Sequence, residues 1–365
     1  MRIRGVIFLL WLFSFVAGES CPIQAQPQAG SLRFANLRDF KLHNGSVIRD
    51  FTLGYRTLGT LNADRSNAIL WPSWLGGTSQ DLLEYIGPDK ILDPSKYFVI
   101  LVDAIGNGVS SSPSNHKSQP LGNFPEFQIR DMVEAEHRLA VDVLHLSHLR
   151  AVVGISMGGM QTFCWILTYP DFMDLAIPMM GSPQSTSYDK LLWNTEIDAI
   201  QSDPAWNQGR PSKPLKSGMA LCDEVDSMNS TTPSYRVAQT SPKAFDGFLY
   251  ELRKNSAASG GSAWDQIRQR EAIMEYDLPG SLGLTLESAA RQAHVKLLVI
   301  VSSQDHMVNP TPAMEFADAA GAPLITLNSI CGHESLSCIS VGPIVAGFLA
   351  NPSSVHTMTL QDPAK

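Results

Sequence analysis

The sequence has no cluster of lysine or arginine, and its 27 basic residues are outnumbered by 35 acidic ones. The formal net charge is −8. Nucleic-acid binding requires a basic face that neutralises phosphates, so this charge balance argues against a nucleic-acid partner. We therefore expect a small-molecule substrate.

The sequence also lacks a complete set of metal ligands. His145 and His148 have a spacing compatible with one helix face, but no third ligand lies near them in the sequence. A zinc site needs at least three protein ligands. We therefore expect two surface histidines, no metal and no cofactor.

Cysteines are few, five in 365 residues. Cys331 and Cys338 flank a histidine, His333, and can pair with each other. Cys164 lies in an apolar segment and is expected to be a buried thiol. The odd number leaves at least one cysteine free or paired elsewhere.

Long apolar runs are also scarce. One lies at residues 6–16, after Arg2 and Arg4 and before a stretch of small and polar residues. It is too short for a comfortable membrane span. This order predicts a secretory signal peptide and short leader over residues 1–25, and hence a secreted or periplasmic protein with no stable membrane insertion after cleavage. A retained N-terminal anchor helix is the alternative.

Apolar runs at residues 68–71 and 97–102 stop at glycine-rich loops, as is typical of strands buried on both faces. Residues 129–146 show helical spacing, and residues 32–61 alternate in short runs that indicate antiparallel edge strands. Strands that alternate with helices predict an α/β fold with a mostly parallel sheet flanked by helices.

Composition divides the chain further. Residues 184–289 are polar, rich in Pro and Gly, and helix-like in patches. We predict that they form a helical cap inserted between two parts of the core, residues 26–183 and 290–352. Residues 353–365 are expected to be a loosely ordered tail.

One short motif carries the chemistry. An apolar run at residues 151–153 leads into Gly154-Ile155-Ser156-Met157-Gly158, and a segment of helical character follows. Strand, sharp turn and helix would expose the Ser156 hydroxyl as a nucleophile, and small residues on both sides let strand and helix pass closely. The Met157 amide would then face an oxygen that becomes negative during acyl transfer. A chance match in a loop is the alternative.

A serine nucleophile needs a base, and the base needs a carboxylate. Asp305 follows an apolar run at residues 297–303, and His333 follows another at 324–327. Both are therefore expected at strand-end loops, as the acid and the base. The alternatives are a helix-capping carboxylate and an exposed loop histidine, and His306 is the rival base.

A second donor for the oxyanion is expected from the loop after residues 68–71. We predict the backbone amide of Leu75, because Gly76 and Gly77 let the chain approach closely. Trp74 is expected to line the substrate site beside it. The alternative is an ordinary glycine-rich turn.

Several motifs together carry a more specific resemblance than the serine motif alone. They are Gly154-Ile155-Ser156-Met157-Gly158-Gly159-Met160-Gln161, Tyr169-Pro170, Ile86-Gly87-Pro88, Leu92-Asp93, Tyr97-Phe98-Val99-Ile100, Arg130-Asp131-Met132-Val133, Ala199-Ile200, Asp203-Pro204-Ala205-Trp206 and Gly332-His333. With them the chain resembles the homoserine O-acetyltransferase family of α/β-hydrolases over nearly all of its mature length. The resemblance implies the α/β-hydrolase fold with an inserted helical cap, a triad of Ser156, His333 and Asp305, and ping-pong chemistry through an acyl-enzyme.

The sequence departs from that family where homoserine would bind. The resemblance implies an arginine for the homoserine carboxylate, but Ile197 stands at that position, and Glu334 stands in place of an aspartate for the amino group. Isoleucine cannot replace a bidentate carboxylate partner. Arg210 is the nearest substitute, and Arg210 and Glu334 are the weaker candidates for substrate binding.

An exported enzyme would also lack acetyl-CoA. We therefore expect an ester hydrolase whose substrate is a small ester or acyl donor held under the cap. The alternative within enzymes is an O-acyltransferase with a different acceptor. A non-catalytic binding protein on the same scaffold is a third hypothesis, and a homodimer is left open.

Overall fold

The computed structural model describes residues 30–211, 213–258 and 262–362. Within these ranges ten strands form one sheet, in the order β1-β2-β4-β3-β5-β6-β8-β9-β10, with β7 paired to β6. Only the pairs β1–β2 and β2–β4 are antiparallel, so the sheet is mostly parallel, as predicted. The strands are β1 (Arg33–Lys41), β2 (Val47–Leu58), β3 (Ala68–Pro72), β4 (Phe98–Val102), β5 (Leu149–Ile155), β6 (Met173–Met179), β7 (Lys296–Leu297), β8 (Val299–Ser302), β9 (Leu324–Asn328) and β10 (Met358–Gln361).

Eleven α-helices lie in the described ranges. They are α1 (Ile129–Arg138), α2 (Met157–Thr168), α3 (Ser187–Gln201), α4 (Lys216–Asn229), α5 (Pro233–Gln239), α6 (Phe245–Ala258), α7 (Ala263–Met274), α8 (Leu278–Ser281), α9 (Leu286–Arg291), α10 (Thr311–Ala320) and α11 (Gly342–Ala350). The helix expected over residues 129–146 ends earlier, because a π-helical turn, Leu139–Val143, follows α1.

The central strands are buried on both faces, which explains their continuous apolar sequence. In β5, Val152 packs in one hydrophobic cluster, and its neighbours Ala151 and Val153 pack in the other. Successive side chains of a strand point to opposite faces, so the two clusters are the two sides of the sheet. Because β5 is buried, its C-terminal end and the following residue, Ser156, have a fixed position at the edge of the core.

The helices α3 to α9 lie between β6 and β7. A third, smaller hydrophobic cluster joins three of them, with Ile197 and Ile200 from α3, Cys222 from α4 and Ile267 from α7. The helix-like patches of this region, residues 190–201, 244–254 and 263–276, correspond to α3, α6 and α7, whereas α4 and α5 have no clear signal in the sequence. The helix α9 also crosses the boundary expected at residue 289.

The prediction for the C-terminal tail was wrong for residues 358–361. These residues form β10, which pairs in parallel with the otherwise open edge of β9, for example Met358 with Ile325. Leu360 also packs against the cluster on one side of the sheet. The strand is short and mostly exposed, so its hydrophobic pattern is weak in the sequence.

The described residues include no helix that is both long and apolar enough to cross a membrane. The predicted signal peptide and leader, residues 1–25, lie outside the described ranges.

Candidate active site

Ser156 occupies the sharp turn between β5 and α2. Its backbone has φ 56° and ψ −123°, a conformation that costs a non-glycine residue energy and must be held by its surroundings. A Cβ on Gly154 would collide with the carbonyl oxygen of Gly158, and a Cβ on Gly158 would lie 2.6 Å from the Pro72 carbonyl oxygen. Only glycine fits at these two positions, which explains why glycines lie two residues before and two residues after Ser156.

The structure brings Ser156, His333 and Asp305 together in one hydrogen-bonded chain. The His333 Nε2 atom lies 2.8 Å from Ser156 Oγ, and its Nδ1 atom lies 2.6 Å from Asp305 Oδ2. A carboxylate accepts a hydrogen bond, so in the neutral imidazole Nδ1 carries the proton and Nε2 is free to accept the serine proton. This arrangement allows the imidazole to act as a base toward the hydroxyl.

Asp305 is fixed in a loop after β8. Its second oxygen, Oδ1, accepts hydrogen bonds from the amides of Met307 and Val308, both at 2.9 Å. The neighbouring His306, the rival base, is exposed and has no place in this hydrogen-bonded chain. The loop after β8 therefore places the Asp305 carboxylate, and not the His306 imidazole, against His333.

His333 lies in a short 3₁₀ helix, Gly332–Ser337, after β9. Gly332 opens this helix with φ +61°, a left-handed conformation that favours glycine. A disulfide joins Cys331 and Cys338 around the helix, so these two cysteines pair. Cys164 and Cys222 are free thiols and both are buried.

Charges around His333 change its proton affinity. Burial alone would lower the pKa of the imidazole, but the Asp305 carboxylate beside it, with smaller effects of Glu334 and Asp226, raises the pKa to about 9. The same carboxylate thus favours the imidazolium form of His333.

The two backbone amides predicted as oxyanion donors belong to Met157 and Leu75. Met157 is the first residue of α2, where helix amides lack partners inside the helix. Leu75 lies in the turn after β3 and lines the cavity over Ser156. Within the described residues, no acceptor is found for the Leu75 amide, so it remains available to a ligand.

The cavity above Ser156 has a volume of about 430 Å³. Four carboxylate residues line it, and no lysine or arginine is found among its described lining residues. The lining residues are Trp74, Leu75, Asp81, Glu84, Tyr85, Ile155, Ser156, Met180, Asp226, Met307, His333, Glu334 and Leu336. The cavity therefore presents carboxyl groups and aromatic surface to a substrate.

Two of the three weaker substrate-binding candidates, Trp74 and Glu334, line this cavity. Arg210 does not line it, so the structure does not bring this candidate to the cavity. It is exposed and follows a turn whose Gly209 carbonyl accepts a hydrogen bond from Trp264 Nε1 at 2.8 Å. Neither of these neighbours lines the cavity, so the turn is fixed to another part of the cap.

Sequence reasoning missed several cavity residues. Asp226 comes from α4, a helix that the sequence did not indicate, so nothing in the sequence directed attention to it. Glu84 and Tyr85 precede Ile86-Gly87-Pro88, and that motif was the available signal. Burial and then a hydrogen bond to Glu84 raise the pKa of Tyr85, which stays a neutral phenol.

The described residues contain no group of three histidine, cysteine or acidic side chains that could hold a metal ion. His148, which the sequence placed near His145 without a third metal ligand, lies 2.9 Å from Asp174 at an exposed position.

Residues 75–329 match the family described as the alpha/beta hydrolase fold. A probable esterase of Corynebacterium glutamicum is 42% identical over 186 residues, which are 50% of this chain and 53% of that protein. The match thus spans only about half the length of that relative. A homoserine O-acetyltransferase of Geotalea daltonii is 35% identical over 85% of this chain and 95% of its own length.

The crystal structure of an acetylester hydrolase from Corynebacterium glutamicum superposes with a TM-score of 0.80, at 29% identity, over 89% of this chain and 95% of that one. The acetylester hydrolase and this protein therefore have the same fold. This protein is an enzyme of the α/β-hydrolase fold family and belongs to its homoserine O-acetyltransferase-like group.

Proposed function

We propose that the protein is an exported, serine-dependent hydrolase of small acyl esters that works through an acyl-enzyme on Ser156. The observation that carries the proposal is the hydrogen-bonded chain from Ser156 through His333 to Asp305, at 2.8 and 2.6 Å. Nucleophile, base and orienting carboxylate lie within the distances that such chemistry requires.

In the first half-reaction His333 Nε2 takes the Ser156 proton while Oγ attacks the ester carbonyl. The amides of Met157 and Leu75 stabilise the oxyanion of the tetrahedral intermediate. The imidazolium then gives its proton to the departing alcohol, and the acyl group remains on Oγ. In the second half-reaction His333 activates water by the same route, which releases the carboxylic acid.

The residues that line the cavity favour water and neutral alcohol groups over an amino acid as acceptor. Homoserine brings a carboxylate, and among the described lining residues no arginine or lysine is present to pair with it. Four carboxylates line the cavity instead, and a buried charge without a partner is costly. A similar protein of known structure is an acetylester hydrolase, which supports acetyl esters as the first substrates to test.

The test is to incubate the purified protein with p-nitrophenyl acetate and measure acetate and p-nitrophenol. Equal release of both products, absent in Ser156→Ala, supports the proposal. The same assay with L-homoserine and with short neutral alcohols detects acyl transfer. If transferred product exceeds free acetate, hydrolysis is the wrong assignment.

The second candidate is an O-acyltransferase with an acceptor other than homoserine. It is favoured by the similarity to a homoserine O-acetyltransferase over 85% of the chain. Acyl transfer and hydrolysis share the first half-reaction, so only the fate of the acyl group separates them. A non-catalytic binding protein is the third candidate, and absence of labelling of Ser156 by a fluorophosphonate would favour it.

We also propose export, from the predicted signal peptide over residues 1–25. The Cys331–Cys338 disulfide supports it, because disulfides persist in oxidising compartments. Fractionation of the source cells tests the proposal, with the protein expected outside the cytoplasm. Recovery of full-length protein with reduced Cys331 and Cys338 in the cytoplasm would contradict it.

A further inference from the structure

Gln269 connects the cap to the loop that carries Leu75. It lies on α7 and is 1% exposed. Its Oε1 atom accepts a hydrogen bond from the Gly76 amide at 2.8 Å, and its Nε2 atom donates one to the Ile105 carbonyl at 2.9 Å. One buried side chain thus binds two loops that are far from it in the sequence.

The two loops follow adjacent strands of the sheet. Gly76 lies after β3 and Ile105 lies after β4, and these strands pair in parallel, so their C-terminal ends meet at one edge. Ser156 follows β5, which pairs with β3 on its other side. Gln269 therefore lies over the strand ends that form the site.

The Gly76 amide is the peptide group next to Leu75. The turn is tight, with Gly76 at φ +68° and a hydrogen bond from the Gly77 amide to the Trp74 carbonyl at 3.0 Å. Asn107 holds the far end of the turn through the Gly77 carbonyl at 3.0 Å. Gln269 provides the acceptor for the peptide that follows Leu75, and that contact limits rotation about the Leu75 backbone.

We propose that Gln269 is a positioning residue, which holds the Leu75 amide in the orientation that stabilises the oxyanion. The inference rests on the proposed ester hydrolysis, because it concerns the second oxyanion donor of that reaction. Gln269 itself does not line the cavity and acts only through the loop. Its effect should appear in the transition state and not in the binding of the ester.

The variant that tests this is Gln269→Met, which keeps the length and volume of the side chain but removes both hydrogen bonds. We expect kcat and kcat/KM for p-nitrophenyl acetate to fall together by about 10- to 100-fold, with KM within about twofold. Loss of one oxyanion donor costs about 10²- to 10³-fold, and a displaced donor should cost less than a lost one.

Gln119 offers a matched control. Its Oε1 accepts from the Arg49 amide at 2.8 Å and its Nε2 donates to the Val47 carbonyl at 2.9 Å, so it makes the same pair of bonds. It binds the β2 region and does not line the cavity over Ser156. Gln119→Met removes both of these hydrogen bonds and should therefore shift the melting temperature. Its kcat should stay within about twofold of wild type, because changes away from the site have small effects.

A second readout separates positioning from general loosening. A boronic acid becomes a tetrahedral anion on the serine and needs the oxyanion donors, whereas a non-reactive alcohol product needs only the cavity. In Gln269→Met the Ki of the boronic acid should rise by the factor lost from kcat/KM, and the Ki of the alcohol should stay unchanged. Gln269→Glu keeps an acceptor for the Gly76 amide, and we expect it to retain more activity than Gln269→Met.

Unchanged kcat in folded Gln269→Met would overturn the inference, as would a Gln269→Glu variant that is less active than Gln269→Met, or equal losses in Gln269→Met and Gln119→Met. So would boronic acid and alcohol Ki values that rise by the same factor. Each of these results requires an active wild-type esterase. A wild-type protein without Ser156-dependent hydrolysis would instead defeat the proposed function, so the two failures are distinguishable.

Discussion

Arg270 forms a buried ion pair with Glu196, with 2.6 Å between the arginine Nε and a carboxylate oxygen. The pair lies in the cap beside Ile197, where the family resemblance implies an arginine for the substrate carboxylate. The charge of Arg270 is matched by Glu196, and its Nη1 atom is bound to Gln266. Arg270 also does not line the cavity. A positive charge is present in the cap, but it is paired with Glu196 and does not line the cavity.

Ser156→Ala should abolish ester hydrolysis, with a loss of about 10⁴-fold or more, because it removes the nucleophile. The removed atom lies at the cavity surface, so the far-UV circular dichroism spectrum and melting temperature should change little. Retention of a tenth of the wild-type kcat/KM would reject Ser156 as the nucleophile.

Asp305→Asn should reduce kcat by about 10³- to 10⁴-fold, because an amide can hold the wrong tautomer of His333. The adjacent variant His306→Ala is the control, since His306 is exposed and should tolerate the change. Steady-state kinetics on both variants decide the matter. If His306→Ala is the more damaging of the two, the acid loop has been assigned wrongly.

Particular residues show what the sequence could and could not predict. Ser156, Asp305 and His333 follow apolar runs that form buried parallel strands, and the ends of such strands meet at one edge, so their proximity followed from the sequence alone. The roles of these residues in catalysis remain predictions until kinetics test them.

Contacts within the cap did not follow from the sequence. In the sequence Arg210 is the nearest substitute for the expected arginine, but it does not line the cavity, and Trp264 binds the carbonyl of Gly209 beside it. Asp226 lines the cavity and Gln269 binds the loop that carries Leu75, and both come from helices, α4 and α7, that pack in the third hydrophobic cluster. Side chains from helices that are far apart in the sequence meet only through tertiary packing, and no local sequence pattern predicts such contacts.

The pH dependence of hydrolysis should report His333. The base must be neutral, and the Asp305 carboxylate raises its pKa from 6.5 to about 9. As pH rises through that pKa the imidazolium loses its proton, so kcat/KM should increase with pH and level off in the alkaline range. Removal of the carboxylate in Asp305→Asn should move the apparent pKa downward. An apparent pKa at or below the ordinary value in the wild type would contradict this account.

Acetyl-CoA and L-homoserine should give little O-acetylhomoserine, because the described cavity residues include no cation for the amino-acid carboxylate. Chromatographic quantification of that product and of free CoA is the measurement. Arg210→Ala should leave ester hydrolysis within about twofold of wild type, as expected for an exposed residue away from the site. Efficient acetylation of homoserine that is lost in Arg210→Ala would restore the family's usual activity and the role first expected for Arg210.

The most direct test of the central claim is to trap the acyl-enzyme. The protein is mixed rapidly with p-nitrophenyl acetate, quenched in acid and digested, and the peptides are analysed by mass spectrometry. We expect one acetyl group on the peptide that contains Ser156, decaying in water at a rate compatible with kcat and accompanied by free acetate. Turnover without acetylation of Ser156, or acetyl groups that leave Ser156 only when an alcohol acceptor is supplied, would contradict the assignment as a serine ester hydrolase.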